Sequence, residues 1–403
     1  MRFAFSGDAD ATAGPNGKPG FNRFEVYGRM SREDNDFNIN LDDTIYSDSE
    51  IGGAPLARTV AEKWGKYRLG LALPALRKLR ASAGLYSHWD DHEFIDNFSL
   101  PEDGNAIYQA GVKAFTDYAP VNYSSDTGLY REFRWGKNLD LFFLDERSFR
   151  SAAASAGGVC DNPSTPGAVD LAPTAPPATR ATFSLIIPSL ANPVSQQCLD
   201  TINDPNRTML GQAQLNAFLN AVQASDAKWK VVLNETPIQQ YYGFPYDRWE
   251  GYAHERVELL SQLQGRGVKN LVFLTTDNHA NFANVVRLRT LQGDSAPANA
   301  PAGPTDTPYN DYVTGPVATM TFNNEIDSTT GSPGNGKLLS QAFFKPEPPN
   351  GVGMFCAQGG VYSYAEVEAS SDRLTISYKD SQGNTVVDVD GSTPCGPYTI
   401  PAQ

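Results

Sequence analysis

The chain has 403 residues, 40% of them hydrophobic and 19% charged, with a net charge of −14 at pH 7. That length and apolar content support a large core, and 18 Tyr with 21 Phe argue against a disordered chain. The acidic balance excludes a general nucleic-acid binder, so no specific nucleic-acid partner is expected, and no apolar run reaches the ~18 residues of a transmembrane helix.

Apolar runs alternate with helical spacing along the first half. Residues 3–8 (FAFSGD) read as a strand that ends on Asp8, 22–34 as a helix, and 36–49 (DFNINLDDTIYSDS) as a strand entering an acidic loop. Residues 59–82 are helical with a break near Pro74, and 84–93 (GLYSHWDDHE) form another strand with an acidic loop. A helix over 106–120 stops at Pro120, and 130–150 read as a hairpin turning at Gly136-Lys137-Asn138 and ending on Asp145 and Arg147. Residues 151–208, rich in Ala, Pro, Ser and Thr, read as a long surface excursion.

Regular structure returns with a helix over 211–225, a strand over 228–238 ending in Asn234, and a helix over 253–267. Residues 270–282 predict a strand ending in Asp277 and His279, and 291–311 a polar loop. The closing hairpin spans about 364–390.

Cys160 and Cys198 bracket the excursion, and Cys356 and Cys395 bracket a strand-like segment. None sits in a C-x-x-C pair, so two disulfides, Cys160–Cys198 and Cys356–Cys395, are expected, and with them a secreted or periplasmic protein. No signal peptide is present, and Met1 abuts the first strand. A leader, and a preceding domain, are therefore expected to have been lost.

In SHWDDHEFIDN (87–97), Asp90, Asp91, His92 and Glu93 stand side by side. Such crowding inside a fold needs compensating charge. A single Asp at a strand end is ordinarily a turn or helix cap. Here, however, five strand ends carry Asp8, Asp43, Asp91, Asn234 and the pair Asp277/His279. Sites in open α/β sheets form outside the carboxyl ends of strands, so these segments are expected to meet. Their oxygen and nitrogen donors suit Fe, Mn, Mg, Zn or Ca, and a bridged pair of cations about 3.5–4 Å apart would clamp a phosphate ester. His254 reads as a helix-surface residue, and His88 as support behind the motif.

The motif SHWDDHEFIDN resembles the WDDHE signature of PhoD-like alkaline phosphatases, in the calcineurin-like metallophosphoesterase superfamily. DFNINLDDTIYSDSE, LYREFRWGKNLDLFFLDERSFR, WKVVLNETPI, DRWEGYAHERVELL and NLVFLTTDNHANFAN are similar to further blocks of that family, in the same order from about Phe3 to Val286. The resemblance implies an α/β, four-layer αββα sandwich with two mixed sheets, formed by residues 1–403 as one catalytic domain. It also implies a dinuclear centre, often Fe3+ with Ca2+, that hydrolyses phosphate mono- or diesters with a metal-bound hydroxide.

Carried over residue by residue, Asp43 bridges the ions and Tyr46 is a tyrosinate ligand. Asp91, Asn234, Asp277 and His279 are further ligands. His92 stabilises the transition state or protonates the leaving group, and Arg147 holds the phosphate. The family's Cys after the first strand is absent; Ser6-Gly7-Asp8 stands there, and Asp8, with Asp10 beyond it, would favour a harder metal.

Two alternatives remain open at this stage. One is a phospholipase D-like diesterase acting on phospholipid head groups, with an apolar rim in 151–208 or 291–360, where Phe343, Phe344, Met354 and Phe355 lie. The other is a non-catalytic calcium-binding protein, which would have no use for His92 or His279.

Overall fold

LVFLT at 271–275 buries all five of its residues, as a parallel strand does when both sheet faces are covered. The computed structural model describes Met1–Gln403. Its strands are β1 (Arg2–Ser6), β2 (Phe37–Asn40), β3 (Gly84–Ser87), β4 (Arg131–Trp135), β5 (Leu139–Phe143), β6 (Trp229–Leu233), β7 (Leu271–Thr275), β8 (Asn281–Arg289), β9 (Thr305–Val313), β10 (Cys356–Gln358), β11 (Ser363–Ala369), β12 (Arg373–Asp380) and β13 (Tyr398–Pro401). The helices are α1 (Glu25–Met30), α2 (Val60–Ala72), α3 (Pro74–Ser82), α4 (Leu100–Asp103), α5 (Asn105–Tyr118), α6 (Pro177–Phe183), α7 (Gln196–Ile202), α8 (Gln212–Ala224), α9 (Ala253–Gly265), α10 (Phe322–Thr330) and α11 (Asn335–Leu339).

Both sheets are mixed. One runs β13-β12-β11-β1-β2-β3, with β1, β2 and β3 parallel and the C-terminal strands antiparallel. The other runs β10-β8-β9-β7-β6-β5-β4, with β5, β6, β7 and β9 parallel. Phe3, Phe5 and Ile39 of the first sheet share one buried cluster with Leu141, Val231 and Leu274 of the second, so the sheets pack face to face. Helices α8 and α9 cover the outer face of the second sheet, and α1 and α3 that of the first. The result is the expected four-layer α/β architecture.

The excursion at 151–208 is more than a surface loop. It carries α6 and α7 and buries Ala172, Leu190, Cys198 and Ile202. Both expected disulfides form, Cys160–Cys198 and Cys356–Cys395. The polar loop expected at 291–311 gives way to β9, which lies inside the sheet. Pro308 hides this strand from a sequence reading. It falls where the β8–β9 register shifts between Val285 and Arg287, the irregularity at which a sheet tolerates proline. The strand expected over 270–282 is likewise two strands, with Asp277 and His279 in the turn between β7 and β8. Phe343, Phe344 and Met354 are buried core, not a rim.

One close approach joins the two first strand ends. A Cβ on Gly7 would lie 1.7 Å from the Leu41 carbonyl oxygen. The contact lets the Ala9 amide donate to the Asp43 carbonyl at 3.0 Å and the Val317 amide to the Gly7 carbonyl at 2.9 Å. Gly7→Ala is expected to cost about 3 kcal/mol or more through overpacking that backbone cannot relieve, measured by urea denaturation.

Candidate metal centre

The site residues sit where parallel strands stop and the backbone turns sharply. Asp8 follows β1, Asp43 follows β2, Asp91 and His92 follow β3, Asn234 follows β6, and Asp277 and His279 follow β7. Asp8, Asp43, Asp277 and His279 have φ of 61°, 36°, 58° and 52°. Side chains rarely adopt this left-handed region, and such strain concentrates at functional sites.

Two groups of donor atoms form. Asp8, Asp43 and His279 bring one donor atom each within 4.8 Å of one another, and so do Asp43, Asp91 and His92. Asp43 belongs to both. The Tyr46 hydroxyl lies 3.2 Å from His279 Nε2, which places Tyr46 with the first group. Asp277 faces the same cleft, about 320 Å³ in volume, with Asp43, Asp91, His92 and His279. One nitrogen of Arg147 lies 3.4 Å from Asp277 and 3.9 Å from Asp91, so these carboxylates converge too.

Each residue of the WDDHE motif meets a different need. Trp89 is fully buried against Phe94 and Phe115, with ring centroids 5.2 and 5.3 Å away, and so anchors the loop. Asp90 turns inward onto Arg147 through both carboxylate oxygens. Glu93 accepts the Thr44 amide at 2.7 Å and the Asp90 amide at 2.9 Å, which pins the Asp43 loop to the Asp91 loop. Only Asp91 and His92 face the cleft. Part of the compensation that this crowding needs therefore comes from the protein itself: Arg147 takes up Asp90, and backbone amides take up Glu93. Lys63 on α2 adds a third tie, donating to Ser47 Oγ at 2.8 Å and to the carbonyls of Glu93 and Phe94 at 2.9 and 3.0 Å.

Both histidines are oriented from behind. His92 Nδ1 lies 2.6 Å from Asp48 Oδ1, and His279 Nδ1 bonds to Glu325 on α10. Each leaves Nε2 for the site, the arrangement that fixes the tautomer of a working imidazole. Burial opposes charge on His92, yet the carboxylates of Asp43, Asp91 and Asp48 outweigh it and raise its pKa well above the usual range. Burial, reinforced by Asp91 and Asp90 and opposed by His92, holds the Asp43 pKa well above the carboxylate norm. For Asp277, burial and then Asp247 do the same. Burial, followed by Asp43 and Asp8, raises Tyr46 as well. A nearby cation inverts this logic.

The donor set fits bound cations. Both carboxylate oxygens of Asp8 and both amide atoms of Asn234 are buried without a hydrogen-bond partner. Buried polar atoms are normally paired, so the unpaired oxygens of Asp8, grouped with the shared Asp43, call for a ligand.

Arg147 is not where a phosphate-holding residue is expected. Its side chain is 0% exposed, pairs with Asp90 and Asp247, and lies beneath the carboxylates rather than in the cleft wall. The cation that lines the cleft is Arg248, 3.6 Å from Asp277. His88 is fully buried too, with Nε2 2.6 Å from the Leu144 carbonyl and Nδ1 accepting from Arg131 at 2.9 Å, a structural role. Sequence reasoning missed Asp48, Asp96, Asp247, Arg248 and Glu325. The first four lie in or beside the acidic blocks, but only packing reveals which side chains turn inward. Arg147→Met is expected to lower stability by about 3–5 kcal/mol, because it strands Asp90 in the interior. Denaturation of the purified variant measures this.

With this geometry in place, three comparisons bear on the chain. The profile of the PhoD-like phosphatase family matches residues 10–345. Alkaline phosphatase D of Bacillus subtilis (strain 168) is 26% identical over 216 residues, covering 49% of this chain and 31% of that protein. The matched stretch thus spans less than a third of that relative. A solved structure of PhoD superposes with a TM-score of 0.66 at 18% identity, over 100% of this chain and 68% of that one. The purple acid phosphatase PPD1 from yellow lupin (Lupinus luteus) seeds gives a TM-score of 0.50 at 10% identity, over 96% and 52%. At these identities the two structures speak to the fold alone. The profile match, which extends over most of the sequence, shows that the chain belongs to the PhoD-like phosphatase family.

Proposed function

We propose that this chain hydrolyses phosphate esters in the cleft described above, using two or more bound metal ions. The observation that carries the reading is Asp43, a single carboxylate that belongs to both donor groups. Asp8, Asp43, Tyr46 and His279 would hold one ion. Asp43 and Asp91 would hold a second, with Asn234 and Asp277 as further donors at the same edge. Ions bound there would polarise phosphoryl oxygens and lower the pKa of water enough to supply hydroxide near neutral pH. The donors are mostly oxygen, which suits harder ions: Fe3+ with Ca2+, or Zn2+, Mn2+ or Mg2+.

The protein's own groups do the rest. His92, held by Asp48 at Nδ1, keeps a proton at Nε2 for the departing oxygen. Arg248 faces the phosphate, and its fork of donors matches phosphoryl oxygens. Arg147 fixes Asp90 and steadies Asp91 and Asp277 from below. Two imidazoles in the cleft wall argue against a purely calcium-binding role. The two disulfides support an extracytoplasmic, secreted or periplasmic setting. No helix is long and apolar enough to cross a membrane.

Hydrolysis of p-nitrophenyl phosphate and its bis-ester, with and without chelator, tests the assignment. His92→Asn is expected to lower kcat about 10²–10⁴-fold and Asp43→Asn to abolish turnover; undiminished rates in both variants would remove these residues from the site. Arg248→Ala is expected to raise KM about tenfold or more while Tm stays close to the parent's.

Chelation is expected to lower Tm more at pH 8 than at pH 6. The raised pKa values of Asp43 and Asp277 mean that the folded, stripped protein binds protons more tightly than the unfolded chain. It therefore regains stability as pH falls, while protons displace metal from the loaded form. Calorimetric scans at the two pH values measure the gap.

A further inference from the structure

A second cavity lies beside the cleft. Leu171, Phe183, Ile186, Ile187 and Leu190 of the 151–208 excursion form one wall of it, and its volume is about 60 Å³. Phe244, Ile326 and Thr329 line both this cavity and the cleft, so the two spaces adjoin across these side chains. The floor is α10, the helix whose Glu325 orients His279. No charged side chain lines the cavity. A sugar or charged alcohol seated there would lose its hydration without recompense.

This wall is held firmly. The Phe244 amide donates to the Leu171 carbonyl at 2.9 Å, and the Tyr246 hydroxyl to the Asp170 carbonyl at 2.6 Å. Buried Arg180 grips Asp170 with two nitrogens, at 2.9 and 2.8 Å. Phe183 packs edge-on against Phe343, with ring centroids 4.8 Å apart. The Cys160–Cys198 disulfide closes the excursion. A cavity formed by anchored elements is prepared for its occupant before binding.

Resting on the phosphoesterase reading, we infer that this cavity is a subsite for a short alkyl or aryl group carried by the phosphate ester. The phosphoryl group then lies among Asp43, Asp91 and His279, and its apolar substituent passes between Phe244 and Ile326 toward Ile187. The volume suits a few methylenes or the edge of one ring rather than a bulky group; a cavity of about 150 Å³ is what admits a whole benzene.

Calorimetric binding of methyl-, butyl- and hexylphosphonate to the metal-loaded protein tests the subsite without depending on turnover. Affinity is expected to rise about fourfold for each methylene buried until the cavity fills, with an increasingly negative ΔCp. Ile187→Ser and Ile186→Ser are expected to flatten the series. Leu185→Ser, whose side chain is 84% exposed and outside the cavity, is expected to keep the parent's slope. Equal affinities for the three phosphonates in the parent protein would overturn the subsite, as would an unchanged slope in both isoleucine variants. The subsite also falls if p-nitrophenyl phosphate is hydrolysed but no alkylphosphonate binds. If there is neither hydrolysis nor binding, the phosphoesterase reading itself fails.

Discussion

Carboxylates delivered by the strand ends of two sheets repel one another, and burial sharpens the repulsion because little solvent remains to screen it. The surrounding structure answers this charge in several ways. Asp90 is answered by Arg147, Glu93 by the amides of Thr44 and Asp90, and Asp48 by His92. Asp8 is answered least: neither of its oxygens has a hydrogen-bond partner and His279 Nε2 stands 3.6 Å away, while Asp43 and Asp91 at the cleft each accept one backbone amide, from His92 and Asn97. The protein thus pairs closely the carboxylates that build the site and only in part those that would work in it.

The same division explains the role of the glycine and of the left-handed residues. Asp43 can serve two donor groups only if the turn after β2 meets the turn after β1 with no side chain between them, which Gly7 permits. The positive φ at Asp8, Asp43, Asp277 and His279 then aims side chains off the strand ends instead of along the pleat. The cost of that backbone, of order 1–3 kcal/mol per residue, is offset by the interlocked sheets behind it.

Much of this was legible from residues alone. The parallel strands announce themselves as short apolar runs, and their acidic ends follow from where such sheets place sites. Both disulfides follow from the spacing of the cysteines. What stayed hidden depends on inward or outward facing. Arg147 and Arg248 are both basic residues in acidic surroundings, and only packing shows that the first is sealed under the carboxylates and the second lines the cleft. Strand β9 was hidden by Pro308 and by polar residues at its start, which mimic a loop until the bulge is seen. Glu325 lies in a stretch with no motif, and its link to His279 exists only in three dimensions.

The Cys160–Cys198 bond fastens a segment that none of the strand-end donors belongs to. On the proposed reading, strand ends would set the chemistry, while the stapled segment frames the cavity beside the cleft. Thiol-rich surroundings would therefore loosen the protein's discrimination among molecules while its reactive edge, carried by the sheets, stayed in place. Choosiness and reactivity would answer to different features of the environment.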